Sequence, residues 1–198
     1  MFIQVIQGPC SRPEELRAVV DAWKDGPGAE AKGHLGGTFG FTDDGLFIAV
    51  VRFESRELAM ANSERPVQDE WAQRFAAAFD STPEFRDYDD VRLMLDGGSD
   101  DAGFVQVIQG RVSDRAAVDA LTSSDQSGLR EMRPDIIGAT LGIDADGGFT
   151  QTIAFVDEAS ARAGEAGATP PPEMEEAVGK LLDGAVFHDL HAPWFASP

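Results

Sequence analysis

The sequence predicts an α+β chain made of two tandem copies of one βαββαβ unit. The first observation is a repeat, since Phe2–Gly8 returns almost unchanged as Phe104–Gly110, a shift of 102 positions. The second is that the same shift still holds far along the chain, where Phe85–Asp87 faces Phe187–Asp189. The third is that strand-like and helix-like patterns follow the same order in each copy. One register across the chain indicates duplication of a fold of about a hundred residues, an ordinary domain size.

The first elements of the first copy follow from local patterns. The β-branched run Phe2–Gln7 predicts a strand that ends at Gly8. Ser11, with Glu14 three residues later, is a capping box that opens a helix. Apolar residues then recur at helical spacing, namely Leu16, Val19, Val20 and Trp23. Residues 25–33 have the composition of a loop.

The rest of the first copy completes the unit. Gly36–Thr42 and Leu46–Phe53 predict a hairpin around Asp43–Gly45. Ser55 caps a short helix that runs through Ala61. A longer helix then begins at Pro66 and carries an apolar stripe of Val67, Trp71, Phe75, Ala78 and Phe79. Pro83 ends that helix, and Phe85–Leu95 returns to extended chain.

The second copy repeats this order, so we divide the chain into repeat one at 1–95, an acidic glycine-rich linker at 96–102 and repeat two at 103–198. Asp157 stands at the place of Ser55. The second long helix has a stripe of Met174, Ala177, Val178, Leu181 and Leu182. This order is that of a ferredoxin-like unit, in which both helices cover one face of a four-stranded antiparallel sheet. Because an open apolar sheet face needs a cover, we expect the repeats to pack sheet to sheet as a pseudo-dimeric α/β barrel.

Composition limits the class of function. The chain has 198 residues, of which 42% are hydrophobic and 26% charged, and a net charge of −19. Such an acidic protein is not expected to bind nucleic acid or an anionic membrane, because both require clustered Lys and Arg. A single cysteine, no signal-like N-terminus and no long apolar segment favour a cytoplasmic protein. We expect the protein to bind a small molecule. The two repeats of one chain are expected to form the pseudo-dimer, and the sequence leaves open whether chains oligomerise further.

The stretch Val50–Glu54 followed by Ser55–Asn62 is similar to the third strand and the short Ser-x-Glu-x-Ala helix of the antibiotic-biosynthesis-monooxygenase-like branch of the dimeric α/β-barrel superfamily. The resemblance implies one ligand cavity between sheet and helices in each half. Family members include cofactor-independent oxygenases of aromatic substrates, which implies that no cofactor is needed. Haem-degrading members use a histidine on the second helix, and none occurs between Ser55 and Phe79, so haem binding is the weaker expectation.

The resemblance also places Asn62, Trp71 and Arg86 in that cavity. Asn62 would orient the substrate or an oxygen adduct, and Trp71 would form a wall for an aromatic ring. Arg86 would stabilise a phenolate. Trp71 fits a packed core equally well, since it belongs to the apolar stripe. His34 is the nearest candidate for a general base.

The residues themselves suggest further cavity positions. Arg52 shares one strand face with Ile48 and Val50, and the matching face of repeat two carries Thr152. Because this face is the more polar one, we expect it to line the cavity; alternatively, Arg52 pairs with Glu54 or Asp87.

Four glutamines are unusual in otherwise apolar strands, namely Gln4, Gln7, Gln106 and Gln109, and one of each pair is expected to line the cavity. Gln4 and its counterpart Gln106 are predicted to bind ligand, or to be hydrogen-bonded across the pseudo-twofold seam. Since repeat one has Asn62 and His34 where repeat two has Gly164 and Ile136, an active cavity is expected in repeat one. Neutral drift after duplication explains the same differences.

Two classes of function remain open. The first is a cofactor-independent monooxygenase of phenolic substrates, with Arg52 or Arg86 opposite the phenolate. The second is a non-catalytic carrier or stress-associated barrel protein, because a fold does not determine a function. His188 and His191 with Asp189 form the densest group of potential metal ligands. They lack a further partner at ligand spacing, and so we expect no metal site.

Overall fold

The computed structural model describes residues 1–123, 126–167 and 172–198, and the side chain of Met174 lies outside this description. The strands are β1 (Phe2–Pro9), β2 (His34–Phe41), β3 (Leu46–Phe53), β4 (Glu84–Tyr88), β5 (Asp90–Met94), β6 (Phe104–Arg111), β7 (Ile136–Ile143), β8 (Gly148–Phe155), β9 (Val186–Leu190) and β10 (Trp194–Ala196). The helices are α1 (Pro13–Asp25), α2 (Arg56–Ser63), α3 (Pro66–Ala77), α4 (Arg115–Ser123), α5 (Ser127–Met132), α6 (Glu158–Gly167) and α7 (Pro172–Leu182), with a 3₁₀ turn at Pro27–Glu30. Within the described ranges, none of the helices combines the length and apolar composition needed to cross a membrane.

Both sheets confirm the predicted α+β repeat. The first has the antiparallel order β4-β1-β3-β2, and the second has the matching order β9-β6-β8-β7, which is the ferredoxin-like arrangement. Helices α1 and α3 cover the same face of the first sheet, where Leu16 and Phe75 pack with Ile6 and Phe47. The Phe47 face of β3 therefore lies under the helices.

A fifth strand extends each sheet, and it comes from the far end of the other repeat. β10 pairs with β2, whereas β5 pairs with β7. The chain accordingly forms a first unit of residues 1–89 and 193–198 and a second unit of residues 90–192. The stretch Phe85–Leu95, predicted as one extended segment, is divided between β4 and β5 in different sheets. The repeat boundaries at 95 and 103 rest on internal similarity and stay a prediction.

A tight turn follows β5 at the start of the predicted linker. Leu95, Asp96 and Gly97 all have positive φ values, of 51°, 72° and 91°. Gln126 Oε1 accepts a hydrogen bond from the backbone N–H of Leu95 at 2.6 Å, and Arg130 pairs with Asp96 at 2.6 Å. This part of the linker is anchored in the second unit, although its composition suggested a flexible connection.

The helix caps are predicted correctly in two places and wrongly in one. The Ser55 side chain accepts a hydrogen bond from a backbone N–H of α2, and Asp157 does the same for α6. Ser11 does not cap α1, which begins at Pro13. Pro13 has a fixed φ suited to the first helical position, so the helix starts after Ser11. Ser11 Oγ instead donates a hydrogen bond to Asp80 at 2.7 Å.

Candidate functional site

A cavity of about 290 Å³ lies between the sheet and the helices of the first unit. Its walls include the aromatic side chains Trp23, Phe39, Phe53, Trp71, Phe75 and Phe85. Its polar lining residues are Gln4, His34, Asn62, Ser63 and Gln68. The structure thus brings four of the predicted site residues to one cavity, namely Gln4, His34, Asn62 and Trp71.

The tryptophans of this cavity have satisfied indole N–H groups. Trp71 Nε1 donates to the carbonyl oxygen of Val19 at 2.8 Å, and Trp23 Nε1 donates to Gln68 Oε1 at 3.1 Å. Trp71 also stacks on Phe75 with ring centroids 4.8 Å apart. With the N–H groups occupied, the rings offer flat apolar surface. Trp71 is therefore both a member of the packed core and a wall of the cavity.

His34 is the buried titratable group of this cavity. It is 9% exposed, and its ring lies against Trp23 and Phe53 at centroid distances of 4.8 and 5.5 Å. Its Nε2 atom is buried and has no hydrogen-bond partner among the described residues. Burial, helped by the positive charge of Arg52, lowers the pKa of His34 to about 4. The imidazole is therefore neutral at pH 7.

Asn62 lies where the cavity meets the surface. It also lines a cleft of about 670 Å³ that includes the loop after α1. Arg65 Nη1 donates to Asn62 Oδ1 and to the carbonyl oxygen of Pro27, both at 2.9 Å, and its Nη2 pairs with Glu30 at 3.3 Å. Arg65 thus fastens the loop to α2 beside Asn62.

Gln4 takes part in a network with charged groups at the edge of the cavity. Its Nε2 donates to Asp87 Oδ1 at 2.9 Å, and Arg56 holds Asp87 at 2.8 Å. The Arg56 guanidinium lies 4.6 Å from the centre of the Phe2 ring. Its hydrogen bonds also lower the pKa of Asp89 below the ordinary value. The Gln4 amide is hydrogen-bonded between neighbouring strands, β1 and β4, rather than across the repeat seam.

The second unit contains an equivalent network. Gln106 Nε2 donates to Asp189 Oδ1 at 2.9 Å. Arg162 binds Asp189 and lies 5.1 Å from the centre of the Phe104 ring. In the repeat register Arg162 corresponds to Met60, one helical turn beyond Arg56. The two halves therefore keep the same charge arrangement with arginines from different helix positions, which favours a structural role for it.

Three predicted site residues lie away from the cavities. Arg52 belongs to the opposite face of the first sheet, where its Nη1 lies 3.5 Å from Thr38 Oγ1. Arg86 is exposed on β4 and pairs with Glu84 at 3.3 Å. Thr152 is buried on the corresponding opposite face of the second sheet. The prediction that the more polar face lines the cavity is wrong, because the helices cover the other face and each described cavity lies beneath them. Asp87, an alternative partner of Arg52, is held by Gln4 and Arg56.

The second unit has its own cavity, of about 470 Å³, between its sheet and helices. Gln106 lines it, and aliphatic side chains form much of the remaining wall. Each unit therefore has the cavity that the sequence resemblance implies. The lining of the two cavities differs in chemistry.

Glu158, Asp189 and His191 are the described residues that come closest to a metal site, with ligand atoms within 4.8 Å of one another. Arg162 already forms ion pairs with Asp189 and Glu158. His191 Nδ1 lies 2.8 Å from Glu158 Oε2. The Arg162 guanidinium therefore already supplies the positive charge that a metal ion would offer to the carboxylates of Asp189 and Glu158.

Sequence reasoning missed part of the cavity wall. Phe53 ends a predicted strand and Trp23 belongs to a predicted helix stripe, and apolar periodicity does not separate a cavity wall from a filled core. Phe85 gave a usable sequence signal, because it recurs as Phe187 in the second copy. In the structure these two phenylalanines are 56% and 48% exposed, and each lines the cavity of its unit. An exposed phenylalanine kept in both repeats indicates a cavity mouth.

No protein-family model matches the sequence, and no curated protein matches it significantly. Solved structures do match. A candidate monooxygenase from Lactobacillus acidophilus NCFM has a TM-score of 0.71 and 12% identity, covering 99% of this chain and 95% of that one. An anthrone oxidase-like protein has a TM-score of 0.66 and 12% identity, covering 99% and 92%. A haem-degrading enzyme from Listeria monocytogenes has a TM-score of 0.51 and 10% identity, covering 100% of both chains.

At these identities the likeness is one of fold. The chain shares its fold with a candidate monooxygenase, an anthrone oxidase-like protein and a haem-degrading enzyme, which agrees at the level of fold with the resemblance seen in the sequence.

Proposed function

We propose that the first unit binds a planar aromatic molecule with a weakly acidic C–H or phenolic O–H group and oxidises it with dioxygen, without a cofactor. The observation that carries this proposal is Nε2 of the neutral His34, which has no hydrogen-bond partner in the described part of the chain and lies in a cavity walled by aromatic rings. The fold shared with a candidate monooxygenase and an anthrone oxidase-like protein supports it.

The shape and chemistry of the cavity favour a flat ligand. The rings of Trp71 and Trp23 offer faces for stacking, since their N–H groups are already occupied. Phe85 provides an apolar mouth through which such a molecule can enter. A polar group of the ligand would meet His34 and Asn62. Few polar groups in a mostly apolar cavity are typical of small-molecule sites, where they fix the orientation of the ligand.

In the proposed reaction His34 moves one proton. With its own proton on Nδ1, it accepts the substrate proton at Nε2, and the substrate anion transfers electrons to dioxygen. One oxygen atom replaces two hydrogen atoms at a substrate CH₂ group to give a carbonyl. The other oxygen leaves as water, which takes the proton carried by His34 and the second hydrogen of the CH₂ group. An imidazolium with a low pKa is a good acid, so His34 returns its proton readily to the reduced oxygen. Asn62 lies where it can hold an oxygen atom of the substrate.

The proposal is tested by oxygen uptake with anthrone as the probe and no added cofactor. We expect uptake by the unmodified chain and a loss of about a hundredfold in His34→Gln, because Gln retains a polar side chain but cannot accept the proton. Binding of the probe, followed by quenching of tryptophan fluorescence, should change little. His188→Gln is the matched control, since His188 lies on β9 outside both cavities.

Three outcomes would contradict this proposal. Tight binding of aromatic probes without oxygen uptake would show a carrier. A Soret band after addition of haemin, shifted in His34→Ala, would show haem binding through His34. Uptake that survives in His34→Gln would exclude His34 as the base.

Arg65→Ala should speed release of the bound probe. The substitution removes the hydrogen bonds that join Asn62 to the carbonyl of Pro27. Losing a charged hydrogen bond of this kind costs about 1.4 kcal/mol, which corresponds to about a tenfold faster dissociation. Stopped-flow fluorescence of the anthrone complex measures this rate. Lys32→Ala removes a positive charge from the same cleft and should leave the rate unchanged; equal rates for both variants would show that Arg65 does not control access.

A further inference from the structure

We propose that the cavity of the second unit is a separate binding site for a neutral amphiphile, an aliphatic chain with one oxygen that accepts a hydrogen bond. This goes beyond the proposed function, which concerns the first unit alone. The cavity measures about 470 Å³ and is larger than that of the first unit. Its aliphatic lining includes Met94, Ile108, Leu121, Ile153, Leu181 and Leu182. Such a wall suits a flexible hydrocarbon chain better than a stacked ring.

The groups proposed to act in the first unit are replaced here. Ile136 stands at the position of His34, and Gly164 stands at the position of Asn62. The space beside Gly164 is taken by an ion pair: a Cβ there would come within 2.6 Å of Arg133 Nε and 2.8 Å of the Asp135 carboxylate. The second cavity therefore has an arginine–aspartate pair where the first has an amide.

The geometry of this pair selects the ligand's polar group. Arg133 donates to Asp135 from Nε at 2.9 Å and from Nη2 at 2.7 Å, and the two side chains are only 13% and 8% exposed. The pair is electrically neutral as a unit. Among the described residues Nη1 of Arg133 has no hydrogen-bond partner, although Arg133 lines the cavity. Its N–H groups are available to an acceptor oxygen.

A charged headgroup is disfavoured at this place. A ligand carboxylate on Arg133 would approach the Asp135 carboxylate, and Glu165 also lines the cavity. A cationic headgroup would approach the Arg133 guanidinium. A neutral hydroxyl or carbonyl avoids both repulsions. The half-exposed Phe187, which also lines the cavity, provides an apolar mouth for the chain.

The test uses the full chain and isothermal titration calorimetry with n-decanol, n-decanoate and n-decylamine at pH 7. We expect n-decanol to bind with one site per chain and each charged analogue to bind at least tenfold more weakly.

Val178→Trp, which fills the second unit's cavity, should abolish binding of n-decanol. Ala72→Trp is the matched control in the first unit's cavity and should leave it unchanged. A double variant, Arg133→Met with Asp135→Leu, avoids leaving one buried charge alone. It should weaken n-decanol binding about three- to tenfold.

Three results of these binding measurements would overturn the proposal. Binding of n-decanoate or n-decylamine as tight as that of n-decanol would show that the pair does not select a neutral group. Loss of n-decanol binding in Ala72→Trp but not in Val178→Trp would place the ligand in the first unit. Absence of n-decanol binding to the unmodified chain would exclude the site. None of these results depends on oxygen uptake, so failure of the proposed oxidation would be seen separately.

Discussion

The free energy of unfolding is expected to be about 3 kcal/mol lower at pH 4 than at pH 7 because of His34 alone. The pKa of His34 falls from 6.5, its ordinary value, to about 4 in the folded chain. Between these values the unfolded state binds a proton that the folded state does not, so stability decreases as the pH falls. A shift of one pKa unit corresponds to about 1.4 kcal/mol, and the effect should be complete below pH 4.

Urea unfolding of the unmodified chain and of His34→Phe isolates this contribution. A phenylalanine can keep the ring contacts with Trp23 and Phe53 but cannot be protonated. Carboxylates also titrate at low pH. They do so in both chains, and so the difference between the two pH profiles belongs to His34. Parallel profiles between pH 7 and pH 4 would show that His34 is not buried as a neutral group.

Gly138→Ala should lower the free energy of unfolding by about 3 kcal/mol or more, through a clash that no side-chain movement relieves. A Cβ at Gly138 would lie 1.8 Å from the carbonyl oxygen of Gly97. Gly97 belongs to the turn after β5, which already has consecutive positive φ angles. The turn cannot withdraw easily, because Gln126 and Arg130 hold it. The substitution therefore strains the junction of β5 with the second sheet.

Gly179→Ala is the matched control for this prediction. Gly179 lies in α7, and a Cβ there would meet none of the described atoms within 4 Å. Alanine is favoured over glycine inside a helix by about 1 kcal/mol, so this variant should be slightly more stable. Thermal and urea unfolding measure both variants. A loss below 1 kcal/mol in Gly138→Ala would mean that the turn gives way, and the description of it as anchored would be wrong.

Much of the fold was readable from local sequence signals. The hairpin between β2 and β3, the cap at Ser55 and the second long helix each depend on residues close together in the chain. Ser11 failed as a cap because Pro13 decides where α1 begins. The exchange of β5 and β10 was not predictable from such signals, since pairing between distant segments depends on the whole sheet.

Several of the predicted site residues line one cavity, whereas polarity was a wrong guide to the sheet face that lines it. His34, Asn62 and Trp71 meet in one cavity. Arg52 does not, because a buried arginine can be accommodated beside Gly36, whose missing side chain leaves room for the guanidinium. Arg133 was not found because its counterpart in repeat one is Ala31, so comparison of the repeats gives no signal there.

The return of β10 to the first sheet matters during synthesis on the ribosome. The outer edge of β2 lacks this partner strand until Trp194–Ala196 has emerged, after all the strands of the second unit have been made. A nascent chain that contains only the first repeat therefore presents an open strand edge, together with β5, whose own partner β7 is not yet made. Open edges invite pairing with neighbouring chains. Truncated chains released from the ribosome should accordingly aggregate through these open edges. The two halves cannot be produced as separate chains unless β10 is joined to the first half and β5 to the second.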